Sequence, residues 1–154
     1  MIVPAEAREG AAGTPLNGNI AVRDVTGGYD AGGYIEAKFS SAEFAHALEG
    51  SLRSAGLLAP AKQAGTHFLI AHINVVAQPP MGGGLKSTVS VSYILAERKS
   101  GRNVYIKTIT MPFEVSLFAS FSARERGKLS TEGAARENIR QFIGELFAPG
   151  LVAS

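Results

Sequence analysis

The hydrophobic positions along this chain change period several times, and each change marks a predicted element. Alternating apolar residues in "NIAVRDV" predict a short first strand. In "SSAEFAHALEGSLRSAGLL" the apolar residues instead fall three or four apart, at Phe44, Leu48, Leu52 and Ala55. That spacing lines them up along one stripe of a helix, and it is the clearest helical signal in the sequence.

Both ends of this first helix carry recognisable signals. Ser40 and Glu43 have the spacing of a capping box, in which each side chain satisfies an otherwise unpaired backbone donor. Gly56 followed by Leu57 is typical of a left-handed stop at the other end.

Three further strands are predicted after this helix. "THFLIAHINVVAQ" is apolar on both faces, which favours a central strand, and it places His67 and His72 on opposite faces. "STVSVSYILAERK" alternates cleanly, as expected of a half-solvated antiparallel strand. "NVYIKTITMPFEVSLF" follows the tight turn "KSGR", and Pro112 predicts an edge position or a bend because proline cannot donate to a central ladder.

A second helix is predicted from the helical spacing of "STEGAARENIRQFIGELF", closed by Pro149 and Gly150. The element order is then β-α-β-β-β-α. With a right-handed crossover, strands one and two are parallel and the later strands form a meander. The predicted fold class is α+β, a mixed four-stranded sheet with two helices packed on one face.

The predicted domain covers residues 18–148, with a short tail at 149–154. The segment before it, residues 1–17, is rich in Ala, Gly and Pro and has no periodicity, which indicates a flexible tether. That tether is open to two interpretations, an ordinary chain terminus or a spacer that once followed a membrane anchor.

Composition excludes several classes of protein. The chain has 154 residues and no cysteine, so disulfides, thiolate metal sites and cysteine nucleophiles are ruled out. Its net charge is only +2, and its basic residues are scattered among the acids rather than gathered in a stripe. We therefore expect no nucleic-acid partner, and no membrane contact except through a lipid anchor that this chain does not contain.

The glycine-rich stretch "VTGGYDAGGYIEAKFSSAEF" lies between a strand and a helix, where phosphate loops occur. Its glycines at 27, 28, 32 and 33 match neither the P-loop nor the dinucleotide fingerprint. The stretch from Tyr34 to Ser40 also delays the helix whose amino end would have to bind the phosphate. We expect no nucleotide or other cofactor here.

Other catalytic patterns are equally weak. The histidines His46, His67 and His72 share no metal-ligand spacing, and surface or hydrogen-bonded roles are expected for them. Asp24 and Asp30 pair with no serine and histidine in a nucleophile motif. Paired carboxylates for glycoside chemistry are neither excluded by spacing nor supported.

Tyr93 and Tyr105 could pair across the hairpin like the stacking aromatics of an RNA-binding sheet. The sequence signature of that sheet is missing around them, so cross-strand packing is the better interpretation.

Topology gives the one positive indication of function. The carboxyl ends of strands one, two and four should emerge at the same end of the sheet, collecting three long loops at residues 26–40, 79–86 and roughly 119–128. Such loops are plausible contacts for a protein, a peptide or a glycan, although ordinary loop mobility explains them nearly as well. The predicted partner-binding residues are Tyr29, Asp30, Tyr34, Lys86, Phe121, Arg124 and Arg126, with Glu125 beside them.

Four segments in order carry a family resemblance over residues 19–147: "IAVRDVTGG", "FAHALEGSLRSAGLL", "AERKSGRNVY" and "TEGAARENIRQFIGEL". With them the chain resembles the YajG-like and related uncharacterised small bacterial envelope lipoproteins. Members usually carry a lipobox cysteine that is acylated after signal cleavage. The resemblance therefore implies a mature domain without that cysteine, periplasmic and outer-membrane anchored in its native form, and it implies no catalytic residues.

We therefore expect a non-catalytic accessory or partner-binding module of the cell envelope that uses the loop-rich end of the sheet. The alternative is a small cytosolic enzyme or small-ligand carrier with its pocket at the same end. The sequence does not predict the oligomeric state.

Overall fold

The computed structural model describes residues 16–27, 41–77, 84–116 and 123–147. Within these ranges the elements follow the predicted order β-α-β-β-β-α. Their bounds are β1 (Ile20–Gly27), α1 (Ser41–Ser54), β2 (His67–Ala77), β3 (Gly84–Glu97), β4 (Asn103–Ser116) and α2 (Ala123–Leu146). Neither described helix combines the length and apolar composition needed to cross a membrane.

The four strands form one mixed sheet in the spatial order β1-β2-β3-β4. β1 is parallel to β2, and the pairs β2–β3 and β3–β4 are antiparallel. The predicted α+β fold is thus confirmed, including the central position of β2 and the edge position of β4, which contains Pro112. The carboxyl ends of β1, β2 and β4 lie at the same end of the sheet, as this pairing requires.

The end of α1 follows its sequence signal. Gly56 has a φ of 78°, and Leu57 N–H donates to Leu52 O at 2.9 Å. A glycine adopts this left-handed conformation without the steric cost that a β-carbon brings, so the chain reverses cleanly out of the helix.

Three predicted boundaries are wrong. β1 runs to Gly27, so Thr26 and Gly27 belong to the strand and not to the loop predicted at residues 26–40. α2 begins at Ala123, so residues 123–128 are helical and not part of a loop. β3 begins at Gly84, so Lys86 lies in a strand that pairs with β4 through Lys86 and Glu114. The spacing of apolar residues could not predict these earlier starts of α2 and β3. The first turns of α2, "ARERGK", are mostly charged, and the start of β3, "GGLK", is rich in glycine.

The core lies between one face of the sheet and the two helices. α1 packs on β1, α2 packs on β3 and β4, and the helices contact each other. The core also includes Leu16, which precedes the predicted start of the domain. Its largest fully buried side chains are Tyr93, Phe44, Phe142, Leu16, Ile20, Leu48, Leu52, Leu57, Leu69, Ile73, Leu95 and Ile139.

Candidate functional site

The structure describes no side chain of the predicted partner-binding residues. Tyr29, Asp30, Tyr34 and Phe121 fall outside the described residues. Only the backbone of Lys86, Arg124, Glu125 and Arg126 is described, near the start of β3 and in the first turns of α2 rather than in loops. Their role as partner contacts therefore stays a prediction.

The described residues offer a different surface, the side of the sheet turned away from both helices. We call this surface the open face. Its members come from all four strands: Thr26, Phe68, Ile70, His72, Asn74, Ser90, Ser92, Ile94, Ile106, Thr108 and Thr110. In the described part of the chain, no helix packs against it.

A row of isoleucines crosses three strands of the open face. Ile70 pairs with Ile94, and Ile94 pairs with Ile106, so the three side chains are direct neighbours. Ile106 is 64% exposed, and Ile70 and Ile94 are half-buried. A large exposed side chain on an edge strand, continuous with two further isoleucines, makes a small apolar patch.

Beside this patch, hydroxyl and amide side chains satisfy one another. Asn74 Nδ2 donates to Ser92 Oγ at 2.8 Å, and Ser92 Oγ lies 2.8 Å from Thr108 Oγ1. One row further on, Thr110 Oγ1 donates to Ser90 Oγ at 3.0 Å. These bonds link short polar side chains across neighbouring strands. This part of the open face is therefore polar, but some of its donors and acceptors are already paired with each other.

The β1 side of the open face carries two further polar contacts. Thr26 Oγ1 lies 2.7 Å from His72 Nδ1. The Arg23 guanidinium carbon lies 4.8 Å from the centroid of the Phe68 ring, a cation–π contact. His72 is therefore exposed and hydrogen-bonded, the role expected for a histidine without metal-ligand spacing.

A groove follows the outer edge of β1, between that strand, α1 and the segment after α1. It consists of two adjoining cavities of about 170 Å³ each. We call it the β1 groove; its lining residues include Val22, Arg23, Asp24, Ala42, Ala45, Glu49, Arg53, Pro60 and Lys62. Val22, Glu49 and Lys62 line both cavities, so they mark the point where the two meet.

Asn138 and Tyr93 form a buried hydrogen-bonded network between α2 and the sheet. Asn138 is fully buried in α2, and its Nδ2 donates to Val89 O at 2.9 Å and to Ile109 O at 2.7 Å. Tyr93 O–H donates to Asn138 Oδ1 at 2.6 Å, and burial raises the pKa of Tyr93 well above its usual value. One amide thus ties α2 to both β3 and β4.

Tyr93 and Tyr105 are not opposite each other in the hairpin, because Tyr93 pairs with Lys107 and Tyr105 with Leu95. Both rings instead meet Phe142 of α2. Tyr93 stacks on it with centroids 4.1 Å apart, and Tyr105 is tilted at 5.6 Å. The predicted cross-strand pair is therefore wrong in detail, and the helix supplies the ring that joins the two tyrosines.

Glu145 is the centre of a polar cluster where α2 meets the edge strand β4. Its Oε1 accepts from Lys107 Nζ at 2.7 Å and from Tyr105 O–H at 3.3 Å, and its Oε2 accepts from Gln141 at 3.1 Å. Burial alone would raise the pKa of Glu145, but these hydrogen bonds and the Lys107 charge outweigh it and lower that pKa. For Tyr105, burial and the neighbouring Glu145 carboxylate both raise the pKa.

His67 is the buried histidine of the described residues. It is 5% exposed at the start of β2, and its Nδ1 lies 2.7 Å from Thr66 Oγ1. Its Nε2 is buried with no hydrogen-bond partner among the described residues. Burial lowers the pKa of His67, and the nearby Glu97 opposes this only in part. His46 is exposed on α1.

Sequence reasoning missed both the isoleucine row and the β1 groove. The sequence predicts only that Ile70 and Ile94 are apolar residues on the strand faces opposite the core. Their alignment with Ile106 depends on how the strands pair. A signal for the groove exists in the small residues Ser41, Ala42 and Ala45 of α1, yet their relation to the β1 edge is tertiary.

The fold is shared with bacterial proteins of known structure. No protein-family model and no curated protein matches the sequence. The Xanthomonas campestris protein XCC0632, of the family DUF330, matches with a TM-score of 0.60 and 10% identity, covering 96% of this chain and 91% of that one. A candidate lipoprotein from Caulobacter crescentus matches with a TM-score of 0.58 and 16% identity, covering 92% and 95%.

A third similar structure is a PelC dodecamer from Paraburkholderia phytofirmans, with a TM-score of 0.54 and 15% identity over 87% of this chain and 89% of that one. At these identities the likeness concerns the fold. The resemblance to uncharacterised bacterial envelope lipoproteins is confirmed at that level, and the finer assignment to the YajG-like group stays a prediction.

Proposed function

We propose that this chain is a non-catalytic module of the bacterial cell envelope that works by protein assembly, and that its open face packs against the open face of a second copy. The observation that carries this proposal is the isoleucine row of the open face, in which Ile106 is 64% exposed on a four-stranded surface. The envelope location is supported by the fold shared with a candidate lipoprotein.

The size of the open face suits such an interface. The strands contain 8, 11, 14 and 14 residues. With about 3.3 Å per residue and about 4.8 Å between strands, the sheet covers about 750 Å². Two copies would then bury about 1,500 Å², within the range of about 1,600 ± 400 Å² for stable protein interfaces.

The chemistry of the open face also favours a second copy. Most side chains of the open face are apolar, hydroxyl or amide, with His72. Its charged positions carry both signs: Arg23 is engaged with the Phe68 ring, Asp24 pairs with Ile70, and Lys86 pairs with Glu114 in the strand register. Interface centres are depleted in charge, and a face that meets itself must avoid opposing like charges. Sheets also pack face to face about 10 Å apart, which fits isoleucines meeting isoleucines.

Edge-to-edge pairing through β4 is the less favourable route to assembly. Pro112 has no N–H, so the free edge of β4 lacks one hydrogen-bond donor. Lys107 adds a positive charge to the same strand, on the face that meets α2. Both are devices that protect edge strands from pairing. The Paraburkholderia structure is a dodecamer, which supports the idea that this fold can assemble, and a closed ring of this chain would be one further outcome of the experiment below.

Sedimentation equilibrium over micromolar to millimolar protein concentrations tests the proposal. We expect a concentration-dependent dimer for the unmodified chain, and a monomer for Ile106→Lys with an unchanged circular dichroism spectrum. The two Tm values should agree at protein concentrations low enough for the unmodified chain to be monomeric, because dimer formation itself raises the Tm. Gln141→Lys adds the same charge on the exposed side of α2 and should leave the dimer intact. A monomeric unmodified chain, or an assembly that Ile106→Lys leaves intact, would overturn the proposal.

The loop-rich end, with Tyr29, Tyr34 and Arg124, remains a predicted contact for additional partners. The competing view of a small-ligand carrier or enzyme is addressed by a thermal-shift screen of metabolites, because a ligand that binds only the folded state raises the apparent Tm. A strong and specific metabolite shift would favour that alternative.

A further inference from the structure

The outer edge of β1 is already paired at its first residue by the chain itself. Ile20 N–H donates to Leu57 O at 2.9 Å, and Ala59 N–H donates to Ile20 O at 2.7 Å. These two bonds form a single parallel bridge between Ile20 and Leu58. The next residue, Pro60, has no N–H to donate, so the segment stops pairing there.

The same edge continues beyond this bridge. Backbone groups of alternate strand residues point to opposite sides, so the N–H and C=O of Val22 point outward like those of Ile20. No hydrogen bond from another described residue reaches Val22 on that side. The β1 groove lies at this position, because Val22 lines both of its cavities.

The wall that α1 contributes along Val22 to Val25 consists mostly of small side chains, with Glu49 as its one long residue. Ser41, Ala42 and Ala45 of α1 line the cavity that lies along Val22 to Val25. A strand added to a sheet lies about 4.8 Å from its neighbour. Small helix side chains beside an open strand edge leave the space that an extended backbone needs.

Charge at the rim of the groove indicates what such a peptide should carry. Arg53 and Lys62 line the cavity next to Pro60, with Glu49 as the acid among its lining residues. None of the three forms an ion pair with another described residue. This end of the groove therefore has a surplus positive charge and suits an acidic side chain.

We propose that the β1 groove binds an extended, acidic peptide segment of another polypeptide, which adds a strand to the β1 edge and places a carboxylate beside Arg53 and Lys62. Main-chain hydrogen bonds to the strand edge supply affinity in this mode of recognition, and alternate side chains supply specificity. The site lies along the outer edge of β1, at the opposite edge of the sheet from Ile106 on β4, and it shares Arg23 with the β1 side of the open face.

The probe is a phage-displayed library of short linear peptides selected on the full chain. The strongest peptide is then synthesised, and its Kd is measured by fluorescence anisotropy. We expect selected peptides to carry Asp or Glu, and Ala45→Arg to weaken binding at least about tenfold by filling the groove. N-methylation should weaken binding only at alternate peptide residues, because only every second backbone amide faces β1.

A second variant keeps the test independent of helix packing. Lys62 is an exposed residue in the segment after α1, so Lys62→Glu should leave the Tm unchanged. The variant should bind the acidic peptide more weakly, and it should bind a peptide in which Glu is replaced by Lys more tightly. Ile106→Lys is the control and should bind the peptide like the unmodified chain, which separates this site from the dimer contact.

Three results would overturn the inference. The first is a selection that yields no peptide above background. The second is a Kd unchanged by both Ala45→Arg and Lys62→Glu. The third is full protection of the outward amide of Val22 from hydrogen exchange in the free chain, since the edge would then already be covered by this chain or by a second copy.

Discussion

Inside the core, the Tyr93 hydroxyl of β3 donates a 2.6 Å hydrogen bond to the Asn138 side chain of α2. Because Asn138 also donates to two strand carbonyls, this one bond belongs to a buried network that fixes α2 on the sheet. A buried polar group that loses its partner is more costly than the bond itself is stabilising.

Tyr93→Phe should therefore lower the free energy of unfolding by about 1–3 kcal/mol, because Asn138 Oδ1 is left buried and unpaired. The phenyl ring keeps the stacking on Phe142. Urea denaturation followed by circular dichroism measures the change. Thr110→Val deletes an exposed hydroxyl of the open face and should stay within about 0.5 kcal/mol; equal losses in the two variants would contradict the network.

Gly27, the last residue of β1, has a φ of 83°, and a β-carbon there would collide with the backbone oxygen of Ile73. Gly101 has a similar φ of 73°, but a β-carbon there would have no heavy atom within 4 Å. Gly101→Ala should cost only the left-handed backbone penalty, about 1–2 kcal/mol. Gly27→Ala should cost clearly more, because β1 and β2 must also separate.

Thermal denaturation of both glycine variants checks this comparison. The expected order of Tm is the unmodified chain, then Gly101→Ala, then Gly27→Ala. A Gly27→Ala variant as stable as Gly101→Ala would mean that the two strands do not approach each other as closely as described.

Glu145 should make stability depend on acid pH. Its folded pKa is lowered below the ordinary 4.5, so its contribution is fully present above that pH and is lost as the pH falls through the folded pKa. Lys107→Met removes the main cause of this lowering. The difference in free energy of unfolding between the two chains should be largest at neutral pH and shrink below pH 4.5.

The size of that difference should be modest, about 0.2–1 kcal/mol, because Lys107 is 51% exposed and solvent screens the pair. Urea denaturation of both proteins across the acid range measures it. A difference that stays constant with pH would show that Lys107 acts through packing alone.

His67 should give a second pH dependence, in a different window. Since burial lowers its folded pKa, the unfolded chain takes up the proton first, and stability falls as the pH drops below the ordinary 6.5. His67→Leu removes the titrating ring and its unpaired Nε2. Between neutral pH and the pH at which carboxylates begin to take up protons, the free energy of unfolding of His67→Leu should therefore change less than that of the unmodified chain.

This result is measured by urea denaturation at several pH values. His46→Gln on the exposed side of α1 is the matched control and should keep the slope of the unmodified chain. If His67→Leu keeps that slope as well, His67 is not the group that titrates.

Much of this fold was readable locally. The alternation of "STVSVSYILAERK", the three-and-four spacing from Phe44 to Ala55 and the left-handed Gly56 each act within a few residues, so element types, their order and the stop of α1 followed from sequence. The boundaries at Gly84 and Ala123 did not follow. A strand extends as far as its partner pairs with it, and a charged first turn has no apolar period to reveal it.

The features of the candidate surfaces also fall into two groups, those set by the local sequence and those set by the tertiary structure. The sequence by itself determined that Ile70, Ile94 and Ile106 are strand residues, since hydrophobic period is a local property. Only the tertiary structure decided that they form one row, that Asn138 reaches two strands at once, and that small residues of α1 border a strand edge. Each of these relationships joins residues far apart in the chain, and strand register and helix docking, which create them, are settled only when the whole core packs.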